Sequence, residues 1–434
     1  MLKKYILNII LLTQPLLFAG VMSGILHFWH ILIILVLSMF ILSKEEVAIS
    51  LTLVMPPVIG KITSLYIPIP GTIICLLLAT IILNKKILTI IKPEDSRSLK
   101  YIIILTVMFI FWYIVSGMGQ YANIKIIEFF ITLFLGCMNF YIIKHESKIN
   151  TSNISLQFGL CAILLMAMAY DFFGYIMPDG LFDFVSYREY TMELLRADLP
   201  FLSYHMPAIF AASAVAYLIS SKKKLTTIDL ITISTYFWLT LVTGARQGFV
   251  SIALIVFLWF IIKNKKINIK GIIMAMGATL IFYSILIALD VETIQVMFDS
   301  DVTLGENFNR NLDYPISVIK TVPIFGVGFG NYLNPYSGEW YPHNIIFEII
   351  IELGFVGFIM LALLVFLYWK RNNASITKKL PNGAFAIIIF MPLMTRAFIS
   401  DHIGSNIIVF IALFILFQKE KSSNKPEREK EIAI

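Results

Sequence analysis

The sequence predicts an all-α polytopic integral membrane protein, and three observations carry that prediction. Apolar runs of about 20 residues recur along nearly the whole 434-residue chain, the length a helix needs to cross a bilayer core. The chain is 59% hydrophobic and only 14% charged, where a soluble domain carries about 25% charged residues. Its basic residues sit in short clusters between the apolar runs, the pattern that sets membrane orientation. Runs this long are too long for barrel strands, so helices must satisfy the backbone in lipid.

The candidate spans fall in order at about 5–23, 25–42, 47–60, 64–83, 99–116, 124–143, 154–176, 201–219, 228–244, 247–262, 271–289, 343–369, 383–400 and 402–418. The first run follows Lys3 and Lys4 like a signal peptide, but Gln14 and Pro15 interrupt it and further spans follow at once. It reads as an uncleaved first helix. The 47–60 run is short and closes on Pro56-Pro57, which suits half of a re-entrant pair, and 402–418 is short as well. The expectation is therefore about 12–14 transmembrane helices in one membrane domain over 1–418. Residues 419–434, polar and mixed in charge, form a disordered cytoplasmic tail. Two connecting loops, 177–200 and 290–342, are long enough to hold structure and function.

With Met1 inside and every run crossing, the interior segments collect Lys3, Lys4, Lys44, Lys85, Lys86, Lys92, Arg97, Lys100, Lys144, Lys148, Lys222 to Lys224, Lys263, Lys265, Lys266 and Lys270. Lys370, Arg371, Lys378, Lys379 and five basic residues of the tail bring the interior to 26 of the 34 Lys and Arg. Both termini are thus expected in the cytoplasm, and the two long loops outside. The same clustering accounts for the net charge of +7 without a nucleic-acid partner. Cys75, Cys137 and Cys161 lie inside apolar runs with no metal-like spacing, and read as buried thiols.

The polar residues able to carry chemistry gather on the outer side. Arg246, in LVTGARQGFV, occupies a very short turn between two spans. It is either an interfacial anchor or a clamp whose planar fork matches phosphate oxygens. Arg310, in ENFNRNLDYP, either pairs with Glu306 or Asp313 or serves as a second clamp. His343 precedes Asn344 at the start of the 343–369 run. It is either a plain interfacial residue or a general base, which a helix N-terminus would keep neutral. Glu348 and Glu352, four residues apart on that helix, share a face and need a polar interior. Asn344, Glu348, Arg188, Arg196 and Arg396 are further candidates to line an outer cavity with an acceptor.

The GVGFG run over 326–330 lacks the βαβ context of a nucleotide loop, and suits a tight turn whose amides approach an anion. His27 and His30, an i, i+3 pair, show no third ligand, and none of His27, His30, His145, His205 and His402 has metal-ligand spacing tied to carboxylates, so no metal site is expected.

The order TGARQGF around Arg246, Arg310 in its loop, PIFGVGFGNY over 323–332, HN at 343–344 and ELGFVGF over 352–358 resembles the O-antigen ligase and polymerase family, including lipid-linked glycan polymerases of the Wzy type. The resemblance covers roughly 230–370, and departs from the pattern at Tyr314-Pro315, where a Trp is common. It implies a membrane glycosyltransferase with a GT-C-type arrangement of spans, at the inner membrane, with its active site in the periplasm. Members move a glycan from an undecaprenyl-diphosphate carrier to an acceptor hydroxyl, with inversion and with neither metal nor other cofactor. Arg246 and Arg310 would then be diphosphate clamps and His343 the base.

The implied partners are the undecaprenyl-diphosphate-linked oligosaccharide as donor and acceptor, the membrane lipid, and a chain-length regulator. TGARQGF and the Ile/Phe/Lys-rich composition favour a polymerase of O-antigen or surface polysaccharide, within lipopolysaccharide biosynthesis. The alternative is a ligase transferring the glycan to lipid A–core. A transporter or flippase is the competing class, but it would place charges near mid-membrane between symmetric halves, which this chain does not show.

Overall fold

A computed structural model of the chain describes residues 2–55, 59, 71–83, 96–115, 119–123, 125–127, 129–130, 133, 149–173, 205–220, 222, 224–243, 245–264, 313–321, 324–335, 341–342, 344–372, 388 and 391–392. Among these residues every regular element is helical. In chain order they are α1 (Leu2–Met22), α2 (Phe28–Met39), α3 (Lys44–Ile49, continued by a π turn over Ser50–Val54), α4 (Gly71–Leu83), α5 (Ser96–Val115), α6 (Thr151–Phe173), α7 (His205–Ser220), α8 (Thr227–Val242), α9 (Arg246–Asn264), α10 (Tyr314–Thr321) and α11 (Ile345–Asn372).

The described helices overlap the predicted apolar runs, except α10, which lies within the expected loop 290–342. Two stretches, Thr151–Ala169 and Ile345–Tyr368, are both long and apolar enough to cross a membrane. Shorter apolar helices cover Ile9–Met22, Phe28–Met39, Lys100–Val115, His205–Ser220, Thr227–Val242 and Gln247–Phe260. Large apolar side chains such as Leu16, Phe40, Ile81 and Ile114 point outward from several of them. A water-soluble surface would not tolerate so many, whereas hydrocarbon does.

Polar caps start the helices. Ser43 and Glu46 close a reciprocal capping box on α3, and Thr226 and Asp229 close one on α8, satisfying the orphan amides of each first turn. Glu46 reaches further, accepting from Asn150 N (2.8 Å) and Asn153 Nδ2 (2.9 Å) at the start of α6. At the other end of α6, Asp171 pairs with His27 Nδ1 at 2.7 Å and accepts from Phe28 N at 2.5 Å. That carboxylate comes from α6, 144 residues away in sequence.

α6 is almost wholly enclosed and packs most closely against α7, whose Ala208, Ala211, Ala212, Ala214 and Ala216 are all buried. Small residues let two helix backbones approach in lipid, where dispersion and hydrogen bonds replace the hydrophobic drive. Ser155 Oγ donates to Ala214 O across that contact at 2.6 Å. Helices α1, α2, α3, α4, α8 and α9 add to this first core. A second core joins α5, Ala122, Phe129, Phe329 and α11. The candidate site is built on the second.

Candidate active site

The apolar pattern of 343–369 predicts one continuous helix, and the structure corrects this. Gly354 adopts φ 70° and ψ −178°, which splits α11 into two helical pieces. The break strands peptide groups that an unbroken helix would pair, and in an apolar surrounding each must find a partner. The loop over 324–330 supplies them. Val327 N donates to Ile351 O at 2.8 Å and Gly328 N donates to Glu352 O at 3.1 Å, while Val356 N donates to Ile324 O at 3.3 Å. The glycine loop and the broken helix thus form one hydrogen-bonded unit. Gly354 and Gly326 face each other across it so closely that a Cβ on either would overlap the other chain segment's backbone.

This geometry corrects the expectation for GVGFG. The amides of Val327 and Gly328 are spent on α11 carbonyls, and that of Gly330 donates to Glu352 Oε2 at 3.0 Å. Of these three amides, that of Gly330 alone meets an anion, and the anion is a carboxylate of the chain itself. On the far side, Tyr121 N donates to Gly330 O at 3.2 Å, so the loop is held between the 119–123 segment and α11.

Beneath the loop lies a charge cluster. Lys125 Nζ donates to Glu348 Oε1 at 2.5 Å and also to Glu352 Oε1. All three side chains are fully buried. One ammonium thus faces two carboxylates one helical turn apart, where a low dielectric makes both the attraction and the cost of losing it large. The sequence places Glu348 and Glu352 on one face, but nothing in its local pattern pairs them with a lysine 223 residues upstream of Glu348. The usable signal was charge balance: Lys125 is a lone cation opening the apolar run at 124–143, and buried charges seek opposite ones.

Asn344 caps the same helix. Its Oδ1 accepts from Ile346 N at 2.9 Å and Phe347 N at 3.3 Å, and its carbonyl accepts from Glu348 N at 3.0 Å. It is an N-cap, and His343 is the residue immediately before it in sequence. Arg246 stands at the first position of α9 with its side chain outside the described residues. His343, Arg310, Arg188, Arg196 and Arg396 lie outside them too. The structure therefore brings Glu348 to Glu352 and Lys125, under a helix capped by Asn344. Among the described residues, no group of three or more His, Cys, Asp or Glu is arranged to hold a metal ion.

Residues 231–362 match the family model described as O-Antigen ligase. No curated protein and no solved structure matches the chain. The matched stretch runs from α8 through Arg246, Arg310, the glycine loop and His343 to the second piece of α11, and leaves Lys125 outside. The chain carries an O-antigen ligase domain over residues 231–362, which supports its membership of the O-antigen ligase/polymerase family of membrane glycosyltransferase-like enzymes acting on lipid-linked glycans.

Proposed function

We propose that this protein is a polysaccharide polymerase. It takes a glycan from a polyprenyl diphosphate, undecaprenyl in the family it resembles, and joins it to a hydroxyl of a second lipid-linked repeat unit at the outer face of the inner membrane. The observation that carries glycan transfer is the O-antigen ligase match over 231–362, a stretch that includes Arg246, Arg310 and His343; the choice of polymerase rests on TGARQGF and the Ile/Phe/Lys-rich composition. The latched loop and the capped start of α11 support it, because a site for in-line displacement needs rigid walls.

In this reaction His343 takes the proton of the acceptor hydroxyl, and the oxygen attacks the anomeric carbon. The bond from that carbon to the diphosphate oxygen breaks with inversion, and lipid diphosphate leaves with the electron pair. Arg246 and Arg310 stabilise the charge that develops on it, the work a metal does elsewhere. The polar pairing within the fold agrees with the topology that the basic residues imply. Glu46 with Asn153, and Lys222 with Trp259, pair residues assigned to the inner ends of spans. His27 with Asp171, and Lys125 with Glu348, pair residues assigned to outer ends.

The test is the surface-glycan ladder of a strain lacking the gene, complemented with wild type, Arg246→Ala, Arg310→Ala or His343→Ala at matched membrane levels. Loss of long chains with one repeat still attached to lipid A–core is the expected result. The description of the matched family favours a second reading, ligase, whose mark is loss of every repeat from the core while long lipid-linked chains accumulate. A ladder unchanged by the deletion overturns both.

A further inference from the structure

Gln247, beside Arg246 at the start of α9, is the most unusual polar side chain among the described residues. Only 2% of it is exposed, and neither Nε2 nor Oε1 has a hydrogen-bond partner. A buried primary amide left wholly unpaired is rare and costly, and calls for a reason such as a ligand. Its neighbours do not relieve it. Ser251 Oγ bonds to the Gln247 backbone carbonyl at 2.6 Å, leaving the amide alone. The first turn of α9 is clamped in place, since a Cβ on Gly248 would come within 2.6 Å of Ala208 Cβ and 3.0 Å of Thr240 Cγ2.

The direction in which it points follows from helix geometry. The Cα–Cβ bond of a helical residue tilts towards the helix N-terminus. Gln247, second in α9, therefore starts its side chain towards the N-terminal end, where backbone N–H groups and the dipole favour an anion.

A bare phosphate would satisfy the NH₂ group but would face the Oε1 lone pairs with its own negative oxygens. An amide orphaned at both atoms fits a ligand that donates and accepts at once, as a sugar hydroxyl does. We propose that Gln247 is a sugar-binding residue that reads a hydroxyl of the first sugar attached to the lipid diphosphate. The proposal rests on the glycan-transfer reading above and adds to it the residue that tells a sugar-bearing carrier from a bare one. Both atoms are sealed from solvent, so a ligand reaches them by displacing what covers the helix start, and the contact is made on binding.

The experiment uses the purified full-length protein in lipid nanodiscs and two probes, undecaprenyl diphosphate alone and undecaprenyl diphosphate carrying one hexose. Wild type is expected to bind the hexose-bearing lipid more tightly. Gln247→Leu, close in volume and apolar, is expected to lose that preference by roughly tenfold while binding the bare lipid as wild type does. Its melting temperature should equal or exceed that of wild type, because it removes an unpaired buried amide. Gln247→Met repeats the test with a side chain of similar length. A wild-type preference retained in both variants overturns the proposal. So do two variants that melt well below wild type, since the amide is then satisfied within the fold, by ordered water for instance. Wild type that binds neither lipid defeats the glycan-transfer reading itself, an outcome distinct from the others.

Discussion

Replacing Lys125 with methionine removes the ammonium that both Glu348 and Glu352 meet and keeps a side chain of similar length. In the native protein both carboxylates meet Nζ, Glu348 at 2.5 Å, and none of the three side chains reaches solvent. The variant leaves two buried carboxylates one turn apart without the lysine that both of them meet. Breaking a buried ion pair from one side costs about 3–5 kcal/mol, and a third member of the cluster raises rather than lowers that figure. The loss should spread beyond the cluster, because Glu352 also accepts from Gly330 N and thereby holds the glycine loop. The purified variant should melt well below wild type in nanodiscs, and cells carrying it should lose glycan chain growth. Lys125→Met with Glu348→Gln and Glu352→Gln should recover most of the stability, since replacing a whole buried ionic cluster by neutral groups is often close to neutral. A single variant that melts as wild type does, with full chain growth, would refute the cluster as the prop of the loop.

Three further outcomes follow from the same geometry. Gly354→Ala should cost about 1–3 kcal/mol from its positive φ alone, and more because its Cβ would overlap Ile324 O; thermal melting and loop proteolysis check this. Asn344→Ala should cost about 0.5–2 kcal/mol and speed hydrogen exchange at Ile346 and Phe347, whose amides it caps; unchanged exchange there would remove its role as N-cap. Glycan transfer by purified protein should persist in excess chelator, since the proposed chemistry uses arginines in place of a metal; activity lost on chelation and restored by magnesium would contradict that step.

The fold class was readable because lipid imposes long apolar runs and forces the polar residues between them, so α5 to α9 lie where hydropathy places them. The family was readable in its motif residues. TGARQGF, PIFGVGFGNY, HN and ELGFVGF all fall within the 231–362 match. What escaped was tertiary. Hydropathy is blind to the sign of φ, so the Gly354 break hid inside an unbroken apolar run. The glycine loop was correctly a tight, amide-presenting element, but its amides turn to Glu352 and the stranded carbonyls of α11. Lys125 belongs to a different part of the chain from its partners, and only a count of buried charges across spans could have joined them. Gln247 stood beside a more conspicuous arginine, and its lack of partners exists only in three dimensions.

The most direct measurement is transfer by the purified protein in liposomes supplied with a lipid-linked repeat unit and no nucleotide sugar. Wild type should convert the single repeat into lipid-linked dimers and longer chains while releasing one lipid diphosphate per bond, and His343→Ala should yield neither product. Repeat units that only change leaflet, with no longer chain and no diphosphate released, would contradict glycan transfer and point to transport.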